Sequence, residues 1–168
     1  MFTTKKLCRA GIIAALYVVL TMAFQPISFG PIQMRVSEML TILPLFYVES
    51  IPALFVGCLL SNVIGGFGIY DVGFGSAATL VAAIATYFIG IAIKNKIVKF
   101  PLGALPPVIA NAFVVPLIFI LTDYDYSYWF NVLTVGAGEL PAVFAFGIVL
   151  YAVILRLQAH EATGKIFG

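Results

Sequence analysis

VGFGSAATLVAAIATYFIGIAI, residues 72–93, runs for 22 residues without one Asp, Glu, Lys, Arg or His, and KNKIVK, residues 94–99, follows at once. A helix crosses the hydrocarbon core of a bilayer in about 20 mostly apolar residues, so this stretch is long enough to span one. The lysines that end it mark a cytoplasmic face by the positive-inside tendency. The rest of the chain has the same character. Of its 168 residues 62% are hydrophobic and 10% charged, with a mean hydropathy of +1.12, whereas a soluble domain carries roughly 25% charged residues. There is too little polar side chain to cover a water-soluble surface, so the exterior is expected to face hydrocarbon.

Five further apolar segments flank the first, at residues 7–24, 36–48, 51–65, 102–121 and 130–157. Pro26, Gly30 and Pro31 break the first from the second, since proline cannot continue a helix. The glycines of Gly65-Gly66-Phe67-Gly68 close the third. The stretch Asp123-Tyr-Asp-Tyr-Ser-Tyr128-Trp129 separates the fifth from the sixth, and its Tyr and Trp suit the headgroup level. The expected fold is all-α: one transmembrane domain over residues 1–168, a bundle of six helices with both termini cytoplasmic and no room for an ATPase or other globular unit.

The second segment is short for a span. Six crossings put Lys5, Lys6, Arg9, Lys94, Lys96, Lys99, Arg156 and Lys165 on one side and Arg35 alone on the other. Merging segments two and three would move the lysines of residues 94–99 outside. Segment two is therefore read as tilted, shielded by neighbours or partly interfacial. The basic start resembles a signal peptide, but no small-x-small cleavage site follows, and it is read as a retained first helix. Cys8 and Cys58 are not expected to pair.

Ionisable groups at membrane depth cost roughly 2.5–3.5 kcal/mol each on insertion scales, so those present are functional candidates. Arg35 and Glu38 open the second segment, Asn62 lies near the end of the third, and Asp71 just precedes the fourth. Asn111 and Glu139 lie roughly 15 Å and 13 Å deep at the α-helical rise. On the six-span topology all of these fall in the outer half, which describes an outward-opening pocket. Plainer roles compete: Arg35 and Glu38 pairing three apart, Asp71 capping a helix, Asn62 and Asn111 as interhelical glue. Glu139, mid-helix after Gly136-Ala-Gly138, has no basic neighbour in its own segment and fits a plain role least. Glu49 is read as lying in a short cytoplasmic turn open to water.

Carboxylates and carboxamides complement a ligand with several N–H donors and a carbonyl. Aromatic side chains, 15 Phe, 8 Tyr and 1 Trp, supply stacking faces for a purine-like ring. Small residues recur four apart at Ala10 and Ala14, at Gly11 and Ala15, and at Ala78 and Ala82. Such rows let helices approach closely, either inside the bundle or against a partner.

These blocks, Gly30-Pro-Ile-Gln-Met-Arg35-Val-Ser37-Glu38, Leu43-Pro44-Leu-Phe, Gly57-x3-Ser61-Asn62, Tyr70-Asp71-x2-Phe74-Gly75-Ser76-x-Ala78-Thr79-Leu80, Leu105-Pro106-Pro107-Val-x-Ala110-Asn111 and Gly136-x-Gly138-Glu139-Leu140, together resemble the QueT family. These are queuosine-precursor substrate-binding subunits of energy-coupling-factor transporters. The resemblance covers about residues 10–150; its departure is the acid-rich loop at residues 123–126. It implies a six-helix capture subunit without catalytic activity, cofactor or metal, in the bacterial cell membrane. The implied cargo is a 7-deazaguanine, the aminomethyl (preQ1) or cyano (preQ0) queuine precursor. Glu139, Glu38, Arg35, Asn62, Asp71 and Asn111 would bind it. The implied partners are a transmembrane coupling subunit and two cytoplasmic ATPases, docked through Ala10 and Ala14.

Two other classes compete. A hydrolase would need a nucleophile and base, yet there is no His-Glu-x-x-His or Gly-x-Ser-x-Gly, and the single His160 lies in the tail. Tyr70-Asp71 is similar to half of an intramembrane aspartyl dyad whose second Gly-x-Gly-Asp is missing. An autonomous proton-coupled secondary transporter would use acids such as Glu139, but no inverted repeat of the kind many such carriers show is visible.

Overall fold

The computed structural model describes residues 3–28, 34–66, 68–123 and 127–164. Gly30, Pro31, Gln33, Phe67, Asp125 and Lys165, used in the sequence reading, lie outside them. Helix α1 is Thr4–Ala23 and α2 a single turn, Gln25–Ser28. A 3-10 helix, Val36–Leu45, precedes α3, Ser50–Gly65. A π turn, Asp71–Gly75, leads into α4, Ser76–Ala92, and α5 is Lys96–Leu121. Helix α6, Tyr128–Pro141, passes through a second π turn, Ala142–Phe146, into α7, Gly147–Gly164. Among the described residues there is no strand, so the all-α class stands. Four stretches, Thr4–Ala23, Asp71–Ala92, Lys96–Leu121 and Tyr128–His160, are long and apolar enough to cross a bilayer; Val36–Leu45 and Ser50–Gly65 are shorter.

Segment two is not α-helical. Ten residues of 3-10 helix reach only ~20 Å at their rise, less than the ~30 Å of a bilayer core. Long 3-10 runs have poor hydrogen-bond geometry, and this one is supported from outside. It packs against α1, α3, α4, α5, α7 and the second π turn. Leu40 and Leu43 enter one core cluster with Ile13, Tyr17 and Leu54. Ile42 and Leu45 enter another with Phe100, Val108 and Tyr151. The segment is the shielded centre of the bundle.

The distribution of side chains is the reverse of a soluble core. Large apolar residues such as Phe88, Ile91, Val81 and Leu133 face outward. The interior, beside its two apolar clusters, holds Arg35, Glu38, Asn62, Asn111 and Glu139. With several apolar helices arranged this way, the chain is a multi-pass membrane protein.

Glycine sets the closest approach of α4 to the central element. A Cβ at Gly90 would sit 2.8 Å from Leu45 Cα and 2.9 Å from its carbonyl oxygen. Backbone cannot swing aside as a side-chain tip can. Overpacking costs about 1–3 kcal/mol, partly offset by alanine's ~1 kcal/mol better helix propensity. Gly90→Ala is therefore expected to melt below the wild type. Gly11→Ala, whose Cβ would meet nothing within 4 Å, is expected to melt at or above it; thermal circular dichroism in detergent checks both.

Two expectations are corrected here. Helix α5 begins six residues before residue 102, because the Asn95 side chain accepts from Ile97 N at 3.0 Å and caps it. The sequence reading starts this segment at residue 102, with the lysines of residues 94–99 ahead of it. Glu49 is not open to water: it is 2% exposed and meets Arg9 Nη1 at 2.7 Å. The Arg9 guanidinium also lies 4.2 Å over the Tyr47 ring, so the turn before α3 is clamped to the start of α1.

Candidate functional site

Arg35 caps the 3-10 helix at its start, and its backbone carbonyl accepts from Glu38 N at 2.9 Å. The first turn of this element thus carries a guanidinium and a carboxyl into the interior. Both side chains are 1% exposed. Glu139 lies at 0% exposure on α6, two residues before Pro141, after which the second π turn begins. Proline lacks the N–H a regular helix would use, and π turns recur at functional sites. Asp71 opens the first π turn. Both irregular turns therefore adjoin candidate residues.

Each buried glutamate is held by one oxygen. Tyr17, on α1, donates its hydroxyl to Glu38 Oε1. Asn111, on α5 between Pro107 and Pro116, donates Nδ2 to Glu139 Oε1 at 3.2 Å. The other oxygens, Glu38 Oε2 and Glu139 Oε2, have no hydrogen-bond partner among the described residues, nor does Ser76 Oγ at the start of α4. An unpaired buried acceptor costs about 1–3 kcal/mol, more when charged, so such atoms in a folded interior require an explanation. Arg35 and Glu38 both act electrostatically on Glu139, and Arg35 acts on Asp71. Arg35 thus links Glu38, only three residues on, with Asp71 and Glu139, which lie far along the chain.

The carboxamides divide. Asn111 orients Glu139 directly. Asn62 donates Nδ2 to the Asp71 carbonyl oxygen at 2.8 Å and approaches Cys58 Sγ at 3.6 Å, tying the end of α3 to the first π turn. That is the interhelical role weighed for it. Asp71 stands in the first turn of its helix, where a carboxylate is favourable. Cys58 also accepts from Thr79 Oγ1 at 3.3 Å; both cysteines are free.

Sequence reasoning missed Tyr17 and Ser76. A signal existed for Tyr17: Ile13, Tyr17 and Thr21, four apart, form the buried stripe of α1. For Ser76 the signal was its place in the Tyr70–Leu80 block that carries the family resemblance. Of the small-residue rows, Ala78 and Ala82 are buried inside the bundle. Ala10 and Ala14 are half-buried and line a groove with Leu7, Pro52, Ala53 and Val56, while Gly11 and Ala15 are exposed.

Chemically, two buried carboxyls of different helices each have one oxygen without a partner among the described residues, and a buried guanidinium acts electrostatically on both. The set complements a compact ligand bearing N–H donors and a carbonyl acceptor. The family model described as QueT transporter matches residues 7–156. A protein named queuosine precursor transporter QueT, from Lactococcus lactis subsp. cremoris (strain MG1363), is 48% identical over 73 residues, 42% of this chain and 43% of that relative. That match spans less than half of the relative's length. No solved structure matches the chain.

Proposed function

The chain belongs to the QueT transporter family, and on that premise we propose that it is the substrate-capture subunit of an energy-coupling-factor transporter. Its cargo on this reading is a queuosine precursor, a 7-deazaguanine with an aminomethyl or cyano substituent, taken from outside the cell. The observation that carries the reading is the pair Glu38 and Glu139. Each has one oxygen anchored by the protein, through Tyr17 and Asn111, and one without a protein partner. A deazaguanine offers a ring imino group and an exocyclic amine to one carboxyl. The aminomethyl form brings a cation to the second, and Arg35 is suited to the ring carbonyl. Asp71, Asn62 and Asn111 complete the proposed site, with Asn62 and Asn111 acting chiefly by holding their neighbours.

Six crossings with cytoplasmic termini go with this reading. Supporting them, Arg9 pairs with the turn at Glu49, and Tyr151 Oη donates to the Lys96 carbonyl at 2.8 Å. Arg9 and Lys96, two of the basic residues that this topology puts inside, take part in these links. The coupling subunit would dock on α1 at Ala10 and Ala14, with two ATPases on the cytoplasmic side.

The isolated chain is expected to bind a 7-deazaguanine and yet not concentrate it in liposomes. Calorimetry tests the first half; uptake into vesicles carrying a proton gradient tests the second. Concentration of ligand by the chain alone would instead establish a proton-coupled secondary transporter. Absence of binding to every deazaguanine would remove the substrate assignment.

A further inference from the structure

Tyr17 sits in the C-terminal half of α1, 1% exposed, on the stripe it shares with Ile13 and Thr21. Its position is set by a close helix contact. A Cβ at Gly57 of α3 would come 2.9 Å from Tyr17 Cβ and 3.1 Å from the Ala14 carbonyl oxygen. Only glycine lets the two helices meet here, and the meeting holds the tyrosine stem against α3. The phenol then reaches the 3-10 helix, where its hydroxyl donates to Glu38 Oε1. One turn on, Thr21 Oγ1 meets Ser37 Oγ at 2.7 Å. Consecutive residues at the start of the 3-10 helix are thus bonded to α1.

A buried tyrosine that served packing alone could satisfy its hydroxyl on any carbonyl. This one is placed on a buried carboxyl whose second oxygen, Oε2, has no partner among the described residues. A carboxyl group turns about its terminal torsion through a broad range, and a donor fixed on one oxygen removes that freedom. We propose that Tyr17 is a positioning residue for the ligand site: by holding Glu38 Oε1 it turns Oε2 toward the ligand. The inference rests on the reading of Glu38 as a ligand contact and adds a residue of α1 that acts through it.

The test uses the full chain in detergent, with the aminomethyl deazaguanine as probe, and the variants Tyr17→Phe, Glu38→Gln and both together. Tyr17→Phe is expected to weaken binding about tenfold, the scale of a charge-assisted hydrogen bond. In the Glu38→Gln background the same change is expected to have almost no further effect, because both act on one interaction. Additive losses, or unchanged affinity in Tyr17→Phe, overturn the proposal. A second readout needs no ligand. The infrared carboxyl band of Glu38, assigned by its disappearance in Glu38→Gln, is expected to move in Tyr17→Phe and to stay in Thr21→Val. A band that does not move in Tyr17→Phe, or moves equally in Thr21→Val, overturns it as well. Should the wild type bind no deazaguanine, the substrate assignment fails, and the infrared comparison alone decides whether Tyr17 sets the Glu38 carboxyl.

Discussion

Glu139→Gln is expected to weaken deazaguanine binding roughly tenfold to a hundredfold, since a hydrogen bond to a charged group contributes about 1.5–3 kcal/mol and 1.4 kcal/mol is a factor of ten. The direction follows from Asn111. Its Nδ2 donates to Glu139 Oε1 at 3.2 Å, so a glutamine will keep its carbonyl oxygen there and place its NH2 where Oε2 stands. A donor then faces a ligand that also presents donors. Volume is unchanged, so the loss should come without unfolding, and circular dichroism checks that. The informative comparison is Glu49→Gln. It also removes a buried carboxylate, but one paired with Arg9 at 2.7 Å. It should lower the melting temperature through the α1 clamp and leave affinity near that of the wild type. Equal affinities for the two variants would make Glu139 a structural residue and move the site toward Glu38 and Asp71.

How far the sequence leads depends on what each residue needs from its neighbours. Helices α4 and α5 were legible because hydrophobic length in a bilayer is a property of one segment. The central element was legible as an oddity but not as a 3-10 helix: its geometry is held by Leu40, Ile42, Leu43 and Leu45 packing into two clusters. Glu38 and Glu139 stood out because burying a carboxyl is costly wherever it occurs. Tyr17 did not, since an apolar helix tolerates tyrosine for several reasons, and only Gly57 and Glu38, far along the chain, reveal this one. Glu49 was misplaced for the same reason. A short turn between two apolar segments looks wet until its partner, Arg9, is located.

Ala10→Leu with Ala14→Leu is expected to abolish recovery of the complex with the coupling subunit while ligand affinity stays within about threefold of the wild type, the tolerance expected of a site that gains and loses no contact. The two alanines line the groove between α1 and α3 with Leu7, Pro52, Ala53 and Val56. Close helix approach in a membrane depends on small side chains, since lipid offers no hydrophobic drive between helices. Leucines there would fill the groove that a partner helix needs. Yet both alanines also pack on the core cluster that holds Tyr17, and the Ala14 carbonyl lies against Gly57. A double leucine variant could therefore fail by loosening α1 from α3. Gly11→Leu separates the two effects. It borders the same groove, but a Cβ there meets nothing within 4 Å, so the added bulk enters open space and not the packed core. Co-purification from cells expressing the whole transporter provides the readout. Loss of the complex in Gly11→Leu with full ligand binding places docking on this face. An intact complex in both variants moves docking elsewhere. Loss of ligand binding in the alanine variant, with Gly11→Leu normal in both assays, assigns the row to packing of the bundle itself.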